Sequence, residues 1–285
     1  MSVTPPRPSI ADKRRAFHAL HAQGCFVIPN PWDVGSALYL QSLGFKALAS
    51  TSAGFAWSVG RRDNGVTRAA KLAHLAELVA ATDVPINADF ENGFAADPAG
   101  VAESVRLAVE AGVAGLSIED STGNPARPLF AQDEAVLRLR AARRAIDAAG
   151  GDTLLVGRAE CYLVGRPDLN ETIARLQAYA NAGADCLFAP GIADPEQIRA
   201  IVAALAPKPV NLVVGGASSL TVAQIAEMGV RRISVGGALA RCAWGGFMQA
   251  AQTLAEQGSF SGLAAGAPGK VLNGLFERSG PASTD

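Results

Sequence analysis

Three stretches share one design: AGVAGLSIED at 111–120, NAGADCLFAP at 181–190 and EMGVRRISVG at 227–236. Each passes from an alanine-rich helical pattern through a glycine into a short apolar run. Glycine suits the left-handed residue that ends a helix. A run that is apolar throughout suits a strand covered on both faces, as parallel strands are. Helix, glycine and strand repeated in that order mark an α/β chain with a parallel sheet.

Working outward, similar apolar runs fall at 25–29 (CFVIP), 47–51 (ALAST), 85–89 (PINAD), 115–119 (GLSIE), 153–158 (TLLVGR), 186–190 (CLFAP), 210–214 (VNLVV) and 232–236 (RISVG). Helical patterns are expected at 34–43, 69–81, 98–111, 134–149, 171–182, 195–205, 221–228 and 239–257. About eight βα units predict a single (β/α)₈ barrel, a TIM barrel, over residues 1–285. The rival, a doubly wound open sheet, usually has fewer strands and a glycine-rich first turn, whereas the first turn here is PNPWDVG. Residues 1–10 read as a frayed tail. Residues 258–285 form a C-terminal extension with a short amphipathic piece at 271–276, expected to dock on the same barrel or on another subunit.

Composition narrows the function. The 285 residues are 49% hydrophobic, carry a formal net charge of −1 and have a pI near 6.3. The absence of a basic stripe argues against a nucleic-acid partner. No apolar run approaches the roughly 20 residues of a membrane helix, and the N-terminus lacks the apolar core of a secretion signal. Four scattered cysteines, Cys25, Cys161, Cys186 and Cys242, have no metal-like spacing and read as reduced thiols of a cytoplasmic protein.

Chemistry in a TIM barrel sits at the C-terminal strand ends. The polar residues expected there are Asn30 and Asp33, then Ser50 to Ser52, then Asp89 and Glu91, then Glu119 and Asp120, then Arg158 and Glu160. Asp89, Glu91 and Glu119 are expected to converge on one mouth with Arg158 opposite. Residues two apart on a strand share a face, so Asp89 and Glu91 can look into one site. Close carboxylates repel unless protonated or joined by a cation. Oxygen donors without histidine or cysteine favour Mg²⁺, with Mn²⁺ as the alternative ion. Arg158 offers a planar fork for a substrate carboxylate. Asn211 on the seventh run is a further candidate substrate contact.

Blander readings apply elsewhere. Asp97, Asp133 and Asp194 are expected as helix N-caps, and Asp120 as a further possible cap. The histidines His18, His21 and His74 are expected on helices and read as surface or packing residues. Trp32, Trp57 and Trp244 read as core or interface. Cys161 follows the fifth run closely enough to line a pocket. The glycine pairs in VVGGASS and SVGGALA could bind a phosphate through backbone N–H groups, or merely permit tight turns.

The segments PNPWD, STSAGFAWSVGRRD, PINADFENGF, LSIEDSTGNPARPLF, VGRAE and GADCLFAPGI, in that order, resemble the isocitrate lyase/phosphoenolpyruvate mutase superfamily from about residue 17 to about 250. The resemblance implies a (β/α)₈ barrel whose last helix is often exchanged between subunits, giving a homodimer or homotetramer. It implies Mg²⁺, a small 2-oxo or 2-hydroxy acid as partner, and cleavage or formation of a C–C or P–C bond beside an enolate. By motif, Asp89 matches the direct metal ligand, and Glu91 and Glu119 match the acids that hold the metal largely through its waters. Asp63 matches a further acid near metal and substrate. Thr51, Ser52, Ala53 and Gly54 match the segment whose N–H groups hold the substrate. Arg158 matches the arginine that clamps it.

Two departures shape the expected reaction. The loop STGNPARPLF lacks both the Lys-Cys-Gly-His-type stretch of the lyases and the Lys-x-Asn-Ser stretch of the mutases, and Pro190 replaces the lyases' glutamate or the mutases' histidine. The expectation is a C–C lyase of the oxaloacetate decarboxylase or methylisocitrate lyase kind, with residues 120–130 as a mobile cover and Glu160, Tyr162 or a metal-bound water as proton carrier. The alternatives are a P–C bond enzyme, a barrel isomerase or synthase acting on a phosphorylated substrate, and a non-catalytic carboxylate binder.

Overall fold

The computed structural model describes residues 7–277. Eight parallel strands, β1 (Phe26–Ile28), β2 (Leu48–Ala49), β3 (Ile86–Asp89), β4 (Gly115–Glu119), β5 (Leu154–Arg158), β6 (Cys186–Phe188), β7 (Val210–Val213) and β8 (Arg232–Ser234), form one sheet in the order β1-β8-β7-β6-β5-β4-β3-β2. Across the β1/β2 seam Ala49 N–H donates to the Pro29 carbonyl at 3.0 Å. The result is the expected (β/α)₈ barrel. Among the described residues no helix is long and apolar enough to cross a membrane.

The outer helices are α2 (Val34–Ser42), α4 (Arg68–Ala81), α5 (Pro98–Glu110), α6 (Gln132–Ala148), α7 (Leu169–Asn181), α8 (Pro195–Leu205), α9 (Val222–Glu227) and α10 (Ala238–Gln257). All but α6 and α10 start where a side-chain oxygen satisfies their first N–H groups. Asp97 accepts from Gly100 N–H, and Asp194 from Glu196 and Gln197. Asp133 is not a cap. Helix α6 begins one residue before it, and Glu134 reaches back to the Ala131 N–H instead. The main core lies between sheet and helices, from Leu48, Leu75 and Ile86 round to Leu212 and Ile233.

Two helices lie outside the eight expected helical patterns, although a helix was expected to carry His18 and His21. Helix α1 (Ile10–Ala22) is capped by a reciprocal Ser9–Asp12 pair. It closes the N-terminal end of the barrel, where Phe17 packs with Ile28, Ala47, Ala49, Ala114 and Leu154. Gly115 is required there, because a Cβ would lie 2.6 Å from the Phe17 ring. Of the expected frayed tail, residues 1–6 lie outside the described residues, while Arg7 is tied down by Asp83 Oδ1 (2.6 Å) and the Ala80 carbonyl. The second helix, α3 (Ser52–Ser58), follows β2 directly and is capped by Thr51.

Within the C-terminal extension, a 3₁₀ turn (Ser261–Ala265) packs on α10 and α11 (Gly269–Glu277) packs on α2 of the same barrel, with the Phe276 ring over Gly35. Residues 278–285 of the extension lie outside the described residues. Helix α10 buries only Ala240, and leaves Trp244, Phe247, Met248 and Leu254 exposed.

Candidate active site

The register of the sheet brings the chemistry together. Asp89 pairs with Ser117, Glu119 with Arg158, Arg158 with Phe188, Phe188 with Asn211, and Asn211 with Arg232. A cavity of about 260 Å³ opens above these strands, lined in part by Asp63, Asp89, Arg158, Phe188, Asn211 and Ser234.

Arg158 is at the centre of the acids rather than opposite them. Its Nη1 lies 3.1 Å from Asp89 Oδ1 and 3.3 Å from Glu119 Oε2, and its Nε donates to Glu160 Oε1 at 2.5 Å. Its face rests on Phe188, 5.1 Å from the ring centre. Burial works against the guanidinium's charge, but Glu160, Glu119 and Asp89 outweigh it and push the pKa up. Its Nη2 bonds no described residue.

Asp89 ends β3 with both oxygens occupied. Oδ2 accepts from Ser52 N–H (2.8 Å) and Ser52 Oγ (2.7 Å), and Oδ1 from Arg158. Its own N–H donates to Ser50 Oγ, which also accepts from buried Lys71 at 3.1 Å. Burial pushes its pKa up, but Arg158, Lys71 and Ser52 together hold it below the usual carboxylate value.

The other acids go the opposite way. Burial and then Asp89 raise the Asp63 pKa, and the same two causes push Glu91 up to about 7. Burial raises Glu119 and Glu160, with Arg158 pulling both down. Strand alternation does not explain Glu91, which sits past the strand end at φ 48°. Its Oε1 is buried with no hydrogen-bond partner among the described residues. Glu91, Glu119 and Glu160 stand behind the cavity wall, and Asp63 and Asp89 are the acids that line it.

Several expected contacts fall differently. Thr51, Ser52 and Ala53 line the cavity, but Gly54 does not. Ser52 N–H is held by Asp89, and Gly54 N–H by Thr51 Oγ1. Gly54 is needed for packing, since a Cβ would come within 2.6 Å of Thr51 and 2.9 Å of Trp32. Tyr162 is turned to Gln197 (2.9 Å), and neither it nor the buried Cys161 lines the cavity. The N–H groups of Val235 and Gly236 donate to Asn30 Oδ1, so the β8 loop is not an open phosphate cradle. Residues 120–130 form a self-braced arch, with a Ser121–Leu129 bridge and Thr122 N–H on the Pro128 carbonyl. None of them lines the cavity.

Sequence reading missed the support. Asp120 is no cap. It accepts Glu160 N–H (2.8 Å), Tyr179 OH (2.6 Å) and Arg175 Nη1 (3.1 Å), fixing the chain just past Arg158. Asn87, Ser117, Phe188, Arg232 and Ser234, not singled out from the sequence, also line the cavity, together with the expected Asn30. The one available signal was polar residues at alternate positions inside otherwise apolar strands.

A proton on Glu91 favours the folded state, because its folded pKa of about 7 exceeds the ordinary 4.5. Its contribution is complete below pH 4.5 and is lost as pH rises through 7, on the order of 3 kcal/mol. In metal-free protein the stability of wild type relative to Glu91→Gln should therefore fall from pH 4.5 to 8, read from denaturant midpoints. A pH-independent difference would show that Glu91 titrates normally.

The sequence matches the Phosphoenolpyruvate phosphomutase family over residues 17–255. A solved structure from Burkholderia cenocepacia, provisionally described as a lyase/mutase, superposes with a TM-score of 0.91 at 49% identity, covering 94% of this chain and 97% of that one. A Corynebacterium glutamicum protein provisionally named 2-methylisocitrate lyase 2 is 30% identical over 87% of this chain and 82% of its own length. Oxaloacetate decarboxylase of Paraburkholderia xenovorans is 31% identical over 66% of this chain and 64% of its own. With eight strands closed into a barrel and Asp89, Arg158 and Asp63 at its open end, the chain belongs to the phosphoenolpyruvate phosphomutase family of the isocitrate lyase/phosphoenolpyruvate mutase superfamily, a group of lyases and mutases.

Proposed function

We propose that the chain is a Mg²⁺-dependent lyase that cleaves a C–C bond of a small 2-oxo or 2-hydroxy di- or tricarboxylate through an enolate. Decarboxylation of an oxaloacetate-like β-keto acid is the simplest case. The observation that carries this reading is the Arg158–Asp89 pair at the cavity wall, backed by more acids than cations. Among the described residues, the cations that act most on Asp63, Asp89, Glu91, Glu119 and Glu160 are Arg158 and Lys71.

A divalent ion fits this charge. The donors are all oxygens, and Glu91 Oε1 lacks a partner among the described residues. Among the described residues no three His, Cys, Asp or Glu side chains form a ready cage. Mg²⁺ suits that arrangement, since it keeps several waters and takes one or two carboxylates. Asp89 would hold it directly, with Glu91 and Glu119 behind. When bound, the ion would supply positive charge to polarise the substrate's oxo group.

The chain's own residues do the rest. Arg158 Nη2 is the donor left for the substrate carboxylate and for the charge that grows beside it. Phe188 and Pro190 give that side of the cavity an apolar wall. Of the acids only Asp63 and Asp89 reach the cavity, and Asp89 is already bonded. Decarboxylation needs no proton removed, whereas cleavage of a 2-hydroxy acid would need Asp63 as base. The spent N–H groups of the β8 loop and Pro190 speak against P–C chemistry.

Two further proposals accompany this one. The apolar face of α10 supports a dimer or tetramer. Wild type should sediment as an oligomer, and Phe247→Asp combined with Met248→Asp as a monomer; a monomeric wild type at micromolar concentration would refute it. The free cysteines are consistent with a cytoplasmic location.

The activity test is a panel of oxaloacetate, methylisocitrate, isocitrate, dimethylmalate and phosphonopyruvate, with and without Mg²⁺. Metal-dependent turnover of one carbon acid is expected, abolished in Asp89→Ala and lowered about 10²–10³-fold in Arg158→Lys. Binding of Mg²⁺ and oxalate with no turnover of any member would replace the lyase with a binder.

A further inference from the structure

Deeper in the same cavity lies a second arginine. Arg232 opens β8, is 3% exposed and lines the cavity with Arg158. The pairing Arg158–Phe188–Asn211–Arg232 joins the two across three strand boundaries of the barrel wall.

Their surroundings differ. Arg158 is ringed by carboxylates, whereas every group bonded to Arg232 is uncharged. Arg232 Nε donates to Asn211 Oδ1 (2.8 Å), and Nη1 donates to Asn87 Oδ1 (3.4 Å) and His21 Nε2 (3.4 Å). His21 uses its Nδ1–H on the Phe17 carbonyl (2.8 Å), which leaves Nε2 as an acceptor. Burial, and then the charge of Arg232, hold the His21 pKa down at about 3, so the ring is neutral. Among the described residues Arg232 forms no ion pair, and its Nη2 has no hydrogen-bond partner.

A buried guanidinium without a counter-ion is costly, and an anion that meets it offsets part of that cost. The neighbours orient the fork without neutralising it. Asn211 and Ser234, bonded to each other at 3.0 Å, add polar atoms to the cavity wall beside it. We infer that Arg232 receives a second carboxylate at the far end of the substrate, and so selects a dicarboxylate over a monocarboxylate. This rests on the lyase reading, in which Arg158 takes the carboxylate at the reacting end.

The rival role is structural, with Arg232 merely tying α1 to the barrel through His21. Calorimetric binding in the presence of Mg²⁺ separates the two. The probes are 2-oxoglutarate against 2-oxovalerate and malate against 2-hydroxybutyrate, pairs matched in length that differ in the tail carboxylate, with oxalate as a short control. In at least one pair wild type should prefer the dicarboxylate by about tenfold or more. Arg232→Met should erase that preference without weakening the monocarboxylate or oxalate, and Arg232→Lys should keep part of it.

Equal affinities within both pairs in wild type would overturn the inference, as would a preference that survives in Arg232→Met or a loss shared equally by both members. If Arg232→Met does not fold, the wild-type ratio and Arg232→Lys decide. Oxalate binding alongside equal pair affinities removes the role of Arg232 alone. Failure of wild type to bind any of the five acids removes the lyase reading as well.

Discussion

The mouth of the barrel is organised by one guanidinium. Arg158 ends β5 and bonds acids that come from β3, β4 and the residues after its own strand. Ion pairs this buried stabilise little against apolar packing, but they are costly to break on one side. They fix where each carboxylate stands. Asp89 stays ionised because Arg158, Lys71 and Ser52 outweigh its burial, while Glu91, Glu119 and Glu160 are left with raised pKa values. One acid is held ready and its neighbours hold excess charge that a cation would relieve.

That arrangement depends on what lies beneath it. Much of a TIM barrel interior is packed with branched apolar side chains. Here the lowest layer is apolar and closed by Phe17 from α1, but the layers above carry Asn87, Ser117, Asn211, Arg232 and Ser234. Small residues such as Ala47, Ala49 and Gly115 leave the room. The cavity is therefore a polar shaft with Arg158 toward its mouth and Arg232 deeper, suited to an elongated anion. Asp120, Arg175 and Tyr179 brace the turn after β5, so the height of Arg158 in the shaft is set from outside the barrel.

The alternation of elements was readable because it rests on local physics. A buried parallel strand must be apolar and a helix end favours glycine, so all eight strands and most helices follow from the sequence within a residue or two. The strand-end acids were readable for the same reason. Helix α1 was legible only as the element that carries His18 and His21, because its polar face and proline-rich lead hide its one buried apolar anchor, Phe17. Helix α3 was hidden because the stretch 51–54 was read as a substrate-holding segment rather than as the start of a helix. The partners of Asp120, the Glu160–Arg158 pair and the isolation of Arg232 depend on register between strands far apart in sequence. Glu91 shows the same limit: its left-handed backbone puts it off the strand pattern, and no spacing rule announces that.

The most direct measurement is calorimetric titration of Mg²⁺ into wild type and Asp89→Asn at pH 7, in two buffers of different ionisation enthalpy. One ion per chain should bind to wild type with release of protons, since Glu91 is half-protonated near pH 7 and must give its proton up. Asp89→Asn should lose the ion. Absence of Mg²⁺ binding in wild type, or binding that is unchanged in Asp89→Asn, would contradict a mouth whose excess charge is balanced by a metal at Asp89.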